Sequence, residues 1–124
     1  MKQVISTPNA PAALGTYSQA IKANGMLFAS GQLGINPATG ELPADFVGQA
    51  TQSLKNVSAI LEAAGTTFDN VVKVTVFMSD MANFAALNEV YAKFFTAPYP
   101  ARSAVAVKTL PKDALVEIEV MAVL

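Results

Sequence analysis

The spacing of apolar residues changes sharply in the second half of the chain, and this change constrains the fold more than any other feature. Between residues 46 and 64, apolar side chains recur at steps of three and four, the spacing of one helical face. Gly65 follows, at the position where a glycine commonly ends a helix. From Val71 to Ser79 the period becomes two, which predicts a strand with one face formed by Val72, Val74, Val76 and Met78.

The other segments complete an α+β order. Further strands are predicted at 2–6, 102–109 and 115–124, and a hairpin of strands 19–23 and 26–32 is predicted around Asn24-Gly25, which favours a type I′ turn. A second helix fits 84–95, with a core stripe of Phe84, Leu87, Tyr91, Phe94 and Phe95. The chain length fits a single domain over residues 1–124. The order β-ββ-α-β-α-ββ predicts a sheet with both helices on one face.

The other face of this sheet needs a cover. Hydrophobic residues make up 52% of the chain and charged residues 14%, well below the roughly 25% of an average soluble domain. No apolar run is long enough to span a bilayer, and two prolines interrupt the N-terminal segment where a secretion signal would be apolar. We therefore expect a cytoplasmic homo-oligomer in which the second sheet face packs against other subunits.

Two residue types are missing, and their absence removes several kinds of chemistry. Without cysteine there are no disulfides or thiol nucleophiles, and without histidine there is no Ser-His-Asp triad. Zinc, copper and haem sites lose their usual nitrogen and sulfur ligands, which leaves only carboxylates and amides as ligands for hard cations. The net charge of −1 and the scattered lysines disfavour binding to nucleic acid.

Arg102 is the only arginine in a chain that has seven lysines. It follows Pro100-Ala101 at the start of a predicted strand, so the direction of its side chain is constrained. A planar guanidinium suits bidentate binding of a carboxylate and stays charged when partly desolvated. One interpretation is therefore a carboxylate-bearing ligand, and the other is an ion pair within or between subunits.

Glu117 and Glu119 share one face of the last predicted strand, whose other face is apolar. Burial would raise the pKa of such a carboxyl group and suit it to proton transfer near neutral pH, but both residues could instead be solvated. If the last two strands pair, Arg102 and Glu117 share a face only when the numbers of directly opposed residues sum to an odd value. The sequence leaves this register open.

Two short segments earlier in the chain could line a site. Tyr17 lies in a loop stiffened by prolines, and Ser30-Gly31 would let backbone approach a ligand closely. The alternatives are a loop anchor for Tyr17 and an ordinary strand end for Ser30-Gly31.

Motifs along essentially the whole chain share one pattern. They include GTYSQA (15–20), FASGQLGINPATGEL (28–42), YPARSAVAV (99–107) and LPKDALVEIE (110–119). Together they resemble the Rid family, also called RidA or YjgF proteins, which are imine and enamine deaminases. Pro-Ala-Arg-Ser and Val-Glu-Ile-Glu are the most specific part of the resemblance.

The resemblance implies a fold, an assembly and a reaction. It implies a chorismate-mutase-like α+β subunit with a mixed sheet, forming a homotrimer whose remaining sheet faces pack at the centre and whose three sites lie between subunits. It further implies hydrolysis of 2-iminoalkanoates, such as 2-iminopropanoate and 2-iminobutanoate, to 2-oxo acids and ammonia without any metal or organic cofactor.

The resemblance also assigns roles by motif. Arg102 would bind the substrate carboxylate, and Glu117 would orient a water molecule and transfer protons. Tyr17 of a neighbouring subunit would close the cleft, which the other positions would line: Ser30, Gly31, Asn88 and the backbone of Ala104. This chain departs from the pattern at Ala104, where many members have cysteine, and at Thr16, where proline is common.

Two other function classes deserve comparison with the deaminase. A non-catalytic trimeric regulator could bind 2-oxo acids or amino-acid intermediates in the same cleft. Nuclease or translation-inhibitor activity has been proposed for relatives of the family, but the absence of histidine and the weak positive charge disfavour it here.

Overall fold

The structure is a computed structural model that describes residues 1–124. Seven strands form one mixed sheet: β1 (Gln3–Ile5), β2 (Ala20–Ala23), β3 (Met26–Ala29), β4 (Gln32–Leu33), β5 (Val71–Met78), β6 (Ala101–Ala106) and β7 (Val116–Val123). The strand order is β1-β2-β3-β7-β5-β6, and β4 also pairs with β7. Only β5 and β6 run parallel. The predicted α+β class with a mixed sheet is confirmed.

Two helices accompany the sheet, α1 (Phe46–Ala64) and α2 (Phe84–Tyr91). The bounds of α1 are as predicted, because Asp45 caps its first turn by accepting from the amide of Gly48 and Gly65 ends it at a φ of 82°. The predicted end of α2 at residue 95 is wrong. Tighter bonds, including one from the amide of Phe94 to the carbonyl of Tyr91, end the regular helix.

The core lies between the helices and one face of the sheet. Val74, Val76 and Met78 of β5 are buried there together with Val116, Ile118 and Val120 of β7, in a single cluster of 24 buried residues. The start of β5 departs from its predicted alternation, because a register shift against β7 between Val71 and Lys73 buries Val71 and turns Val72 outward.

The opposite face of the sheet is open in the single chain. Phe28, Val105 and Met121 are 44%, 44% and 40% exposed on it, beside Lys73 and Glu119. Exposed aromatic and aliphatic side chains on one face are typical of a surface that packs against another protein. No helix of the chain combines the length and the apolar character that crossing a bilayer requires.

Candidate active site

Arg102 points to the helix side of the sheet, at its β6 edge. It lies opposite the buried Val74 in the parallel pair, and its Nη1 donates a hydrogen bond of 2.9 Å to Oδ1 of Asn88 on α2. The guanidinium carbon lies 4.8 Å from the ring centroid of Tyr91 and 5.4 Å from that of Phe84. These partners are a neutral amide and two aromatic rings, so no acidic side chain neutralises the guanidinium within the chain.

A cavity of about 470 Å³ opens beside this guanidinium. Its lining consists of Asn88, Tyr91, Ala92, Tyr99, Pro100 and Arg102. The single charged group in the lining is Arg102. The cavity is therefore a cationic recess with a planar donor, and it suits an anionic group such as a carboxylate.

Glu117 lies in β7 and points to the open side of the sheet. It stands opposite Phe77 of β5 and Leu33 of β4. The carboxyl group is half-buried, and this burial raises its pKa, with a further contribution from the negative charge of Glu119. The result is a carboxylate that is a stronger base than an exposed glutamate, which suits it to proton transfer.

Glu117 shares its cavity with three other residues that the sequence singled out. The cavity measures about 420 Å³, and its nine lining residues include Tyr17, Ser30, Gly31 and Glu117. Gly31 lies directly against the carboxyl group, since a Cβ atom at this position would lie 2.7 Å from Oε1 of Glu117. Because residue 31 is a glycine, the carboxyl group of Glu117 can occupy the space that a side chain at residue 31 would fill.

Gln19 holds the loop that carries Tyr17, a role that the sequence reasoning missed. Its buried amide accepts from the Thr7 amide at 2.7 Å and donates to the carbonyl oxygens of Thr7, Ala10 and Pro11. The hydroxyl of Ser30 binds the same segment by donating to the Ser18 carbonyl at 2.6 Å. Gln19 lies inside GTYSQA, but a lone glutamine beside a strand gives no local signal of burial.

The two charged candidates lie on opposite faces of the sheet within one chain. The last two strands do not pair, because β5 lies between β6 and β7, so the register question posed on the sequence does not arise. Arg102 shares a face with Val74 on the helix side, whereas Glu117 shares a face with Phe77 on the open side.

The predicted site residues accordingly fall into two groups. Tyr17, Ser30 and Gly31 lie with Glu117, and Asn88 lies with Arg102. Ala104 lines neither cavity, since its side chain packs partly buried against the core. The structure gathers no cluster of three or more acidic side chains that could hold a metal ion.

Comparison with known proteins shows close relatives of this chain. A model of the family described as Endoribonuclease L-PSP matches residues 7–124. The chain is 52% identical over 126 residues to the 2-iminobutanoate/2-iminopropanoate deaminase of Escherichia coli K12, covering 99% of this chain and 98% of that protein. It is 54% identical over 123 residues to the RutC family protein PH0854 of Pyrococcus horikoshii, with 98% of each chain covered.

Solved structures of related proteins superpose on nearly the whole chain. The Rid family protein YyfA from Yersinia pestis superposes with a TM-score of 0.98 at 52% identity, with 100% of both chains covered. TdcF of E. coli, solved with bound serine, superposes with a TM-score of 0.95 at 48% identity, with 98% of both chains covered. Since the family match and these relatives span nearly the whole sequence, the chain belongs to the Rid family, whose family model is described as Endoribonuclease L-PSP.

Proposed function

We propose that this chain is a cytoplasmic 2-iminobutanoate/2-iminopropanoate deaminase, which hydrolyses 2-iminoalkanoates to 2-oxo acids and ammonia without a cofactor. The observation that carries the proposal is the division of charge between two cavities. The cavity beside Arg102 has no acidic residue in its lining, and the cavity beside Glu117 has no basic one. A 2-imino acid needs a cation for its carboxylate and a proton-transferring group for its imine, so the two cavities are complementary halves of one site.

A homotrimer of the chorismate-mutase-like kind would bring these halves together between subunits. Arg102 and Glu117 cannot meet within a chain, because they lie on opposite faces of the sheet. Packing of the open faces would cover Phe28, Val105 and Met121, and it would set the Arg102 cavity of one protomer against the Glu117 cavity of the next. Tyr17 would then enter the site with Glu117, from the neighbour of the subunit that supplies Arg102.

The reaction follows from these positions. Arg102 binds the substrate carboxylate through guanidinium N–H groups that Asn88 leaves free. Glu117 accepts a proton from a water molecule as the water oxygen attacks C2 of the protonated imine, which yields a neutral carbinolamine. The protonated Glu117 then donates this proton to the amino group. As the C–N bond breaks, the ionised Glu117 takes the proton of the new hydroxyl group, the 2-oxo acid forms, and ammonia leaves and carries that proton away as ammonium. An imine carbon is already electrophilic, so positioning and one carboxylate suffice.

A coupled assay tests the activity. A serine or threonine dehydratase generates the imine, and semicarbazide traps it as a semicarbazone. We expect the wild-type chain to slow semicarbazone formation, and Glu117→Gln to lose this effect while still binding 2-oxobutanoate. A wild-type chain that binds 2-oxobutanoate without accelerating hydrolysis would refute the deaminase and leave the regulator alternative.

A complementation experiment tests the shared site. Arg102→Ala and Glu117→Gln chains should each lose most of their activity when tested alone. In trimers assembled from an equal mixture, about one quarter of the intersubunit sites would combine an intact Arg102 with an intact Glu117. We therefore expect the mixture to regain about a quarter of wild-type activity. A mixture as inactive as its components would show that both residues serve one site within a chain, and the doubly substituted chain mixed with either variant is the matched control.

A further inference from the structure

Arg102 stands at the end of a stack of aromatic rings that continues into the core. The guanidinium carbon lies over the ring of Tyr91 at 4.8 Å, and the ring of Tyr91 stacks on Phe95 with centroids 4.2 Å apart and an interplanar angle of 20°. The rings of Phe95 and Phe68 pack edge to face, with their centroids 4.9 Å apart. Phe84 flanks the guanidinium at 5.4 Å.

This stack of rings is suited to holding the guanidinium in one orientation. A guanidinium binds a carboxylate through two parallel N–H groups only if its plane is correctly oriented, and a long side chain loses freedom when it is held so. The single hydrogen bond that Arg102 donates to Asn88 fixes one guanidinium nitrogen but leaves the guanidinium plane free to rotate about that contact. An aromatic ring beneath the guanidinium restricts this rotation and attracts the positive charge of the guanidinium. The attraction is stronger where water is excluded.

Tyr91 is the member of the stack best suited to this role. It is only 6% exposed and is backed by Phe95, so its ring is fixed. Its hydroxyl is buried and has no hydrogen-bond partner. The hydroxyl therefore makes no hydrogen bond to Arg102, and the ring face carries the contact with the guanidinium.

We propose that Tyr91 is a positioning residue, whose ring, assisted by Phe84, orients the guanidinium of Arg102 to receive the substrate carboxylate. The inference rests on the proposed function for the identity of the ligand. It assigns to α2 a second role beyond core packing, because one face of this short helix presents Phe84, Asn88 and Tyr91 to the same guanidinium.

The test measures binding of 2-oxobutanoate by calorimetry, which requires no catalysis. Tyr91→Leu should weaken binding about tenfold and raise KM by a similar factor, with a smaller change in kcat. Tyr91→Phe keeps the ring and should remain within about twofold of wild type. In an Arg102→Lys background, whose ammonium has no plane to orient, Tyr91→Leu should have little further effect.

Phe95→Leu is the matched control. Phe95 is also buried and stacks on the ring of Tyr91, but the guanidinium of Arg102 lies over the rings of Tyr91 and Phe84 and not over that of Phe95. We expect this variant to lose thermal stability and keep 2-oxobutanoate binding within about threefold. If Tyr91→Leu does not fold, Phe84→Leu at the half-buried start of α2 takes its place, with an expected weakening of about threefold.

Equal weakening of binding by Tyr91→Leu and Phe95→Leu would overturn the proposal, as would unchanged binding in Tyr91→Leu or in the substitute Phe84→Leu. Failure of the wild-type chain to bind 2-oxobutanoate would overturn it as well. A wild-type chain that binds the 2-oxo acid but does not hydrolyse the imine would refute the deaminase alone, so the two failures are distinguishable.

Discussion

Replacing Gly31 by alanine should displace the carboxylate of Glu117 without unfolding the chain. A Cβ atom at residue 31 would lie 2.7 Å from Oε1, 2.8 Å from Cδ and 2.9 Å from Cγ of Glu117, whereas ordinary van der Waals contact begins near 3.4 Å. The obstructing atoms belong to the far end of a flexible side chain, so the glutamate can move aside at little cost. The fold should survive, while the carboxylate shifts by about 0.7 Å.

The size of this shift sets the expected loss of activity. A misplacement of about 1 Å at a reacting group costs roughly a hundredfold in rate. We therefore expect Gly31→Ala to lower kcat between about tenfold and a hundredfold, which corresponds to roughly 1.4–2.7 kcal/mol of activation free energy. Binding of 2-oxobutanoate should change little, because Arg102 lies in the other cavity.

The dehydratase-coupled assay and a thermal melt together check this reasoning. Adding Gly31→Ala to Glu117→Gln should cause little further loss, since the group that it displaces is already disabled. Gly34→Ala provides a contrast, because a Cβ there would meet the backbone of Gln49 at 2.2 Å and should destabilise the fold. A Gly31→Ala chain with wild-type kcat, or one that melts as early as Gly34→Ala, would refute the reasoning.

Three further predictions follow from the charges and from the open face of the sheet. Arg102→Ala should cost roughly 2–4 kcal/mol of kcat/KM by deleting a charge-assisted bidentate contact, and an unchanged kcat/KM would show that the arginine serves the assembly instead. Glu117 must be ionised to act as a base, so activity falls as pH drops through its raised pKa. Glu119→Gln removes the neighbouring charge and should move this acid limb of kcat/KM to lower pH, and a shift to higher pH would contradict it. Met121→Glu places a charge on the exposed apolar face and should leave the chain monomeric in light scattering, whereas a trimeric mass would contradict the proposed packing.

Local sequence patterns predicted those elements that local interactions determine. Helix α1 has a long apolar stripe, a capping aspartate and a terminal glycine, and its bounds were predicted correctly. Predictions of helix bounds and strand alternation failed where tertiary contacts prevail. Phe94 continues the stripe of α2 in a tightened turn, and the shift at Val71 depends on pairing with β7, which lies more than forty residues away.

The sequence singled out the residues of the candidate site, but it did not predict how those residues are arranged. Motifs singled out Arg102 and Glu117 by residue type, but consecutive strands were considered as partners, and the structure inserts β5 between them. A signal for this arrangement was present in the sequence. A helix between β5 and β6 makes a βαβ crossover, which requires the two strands to run parallel if they are adjacent.

In the proposed mechanism, the same crossover links catalysis to assembly. With β6 placed beyond β5, Arg102 points to the helix side while Glu117 points to the face that exposes Phe28 and Met121, so one chain does not bring the two charged groups together. A site shared between subunits, as proposed, would make the covering of that face a condition for chemistry. If the proposed trimer is correct, specific activity per chain must fall on dilution as protomers separate, and it must fall in step with the loss of trimer mass. A site contained in one chain would keep its activity at any dilution.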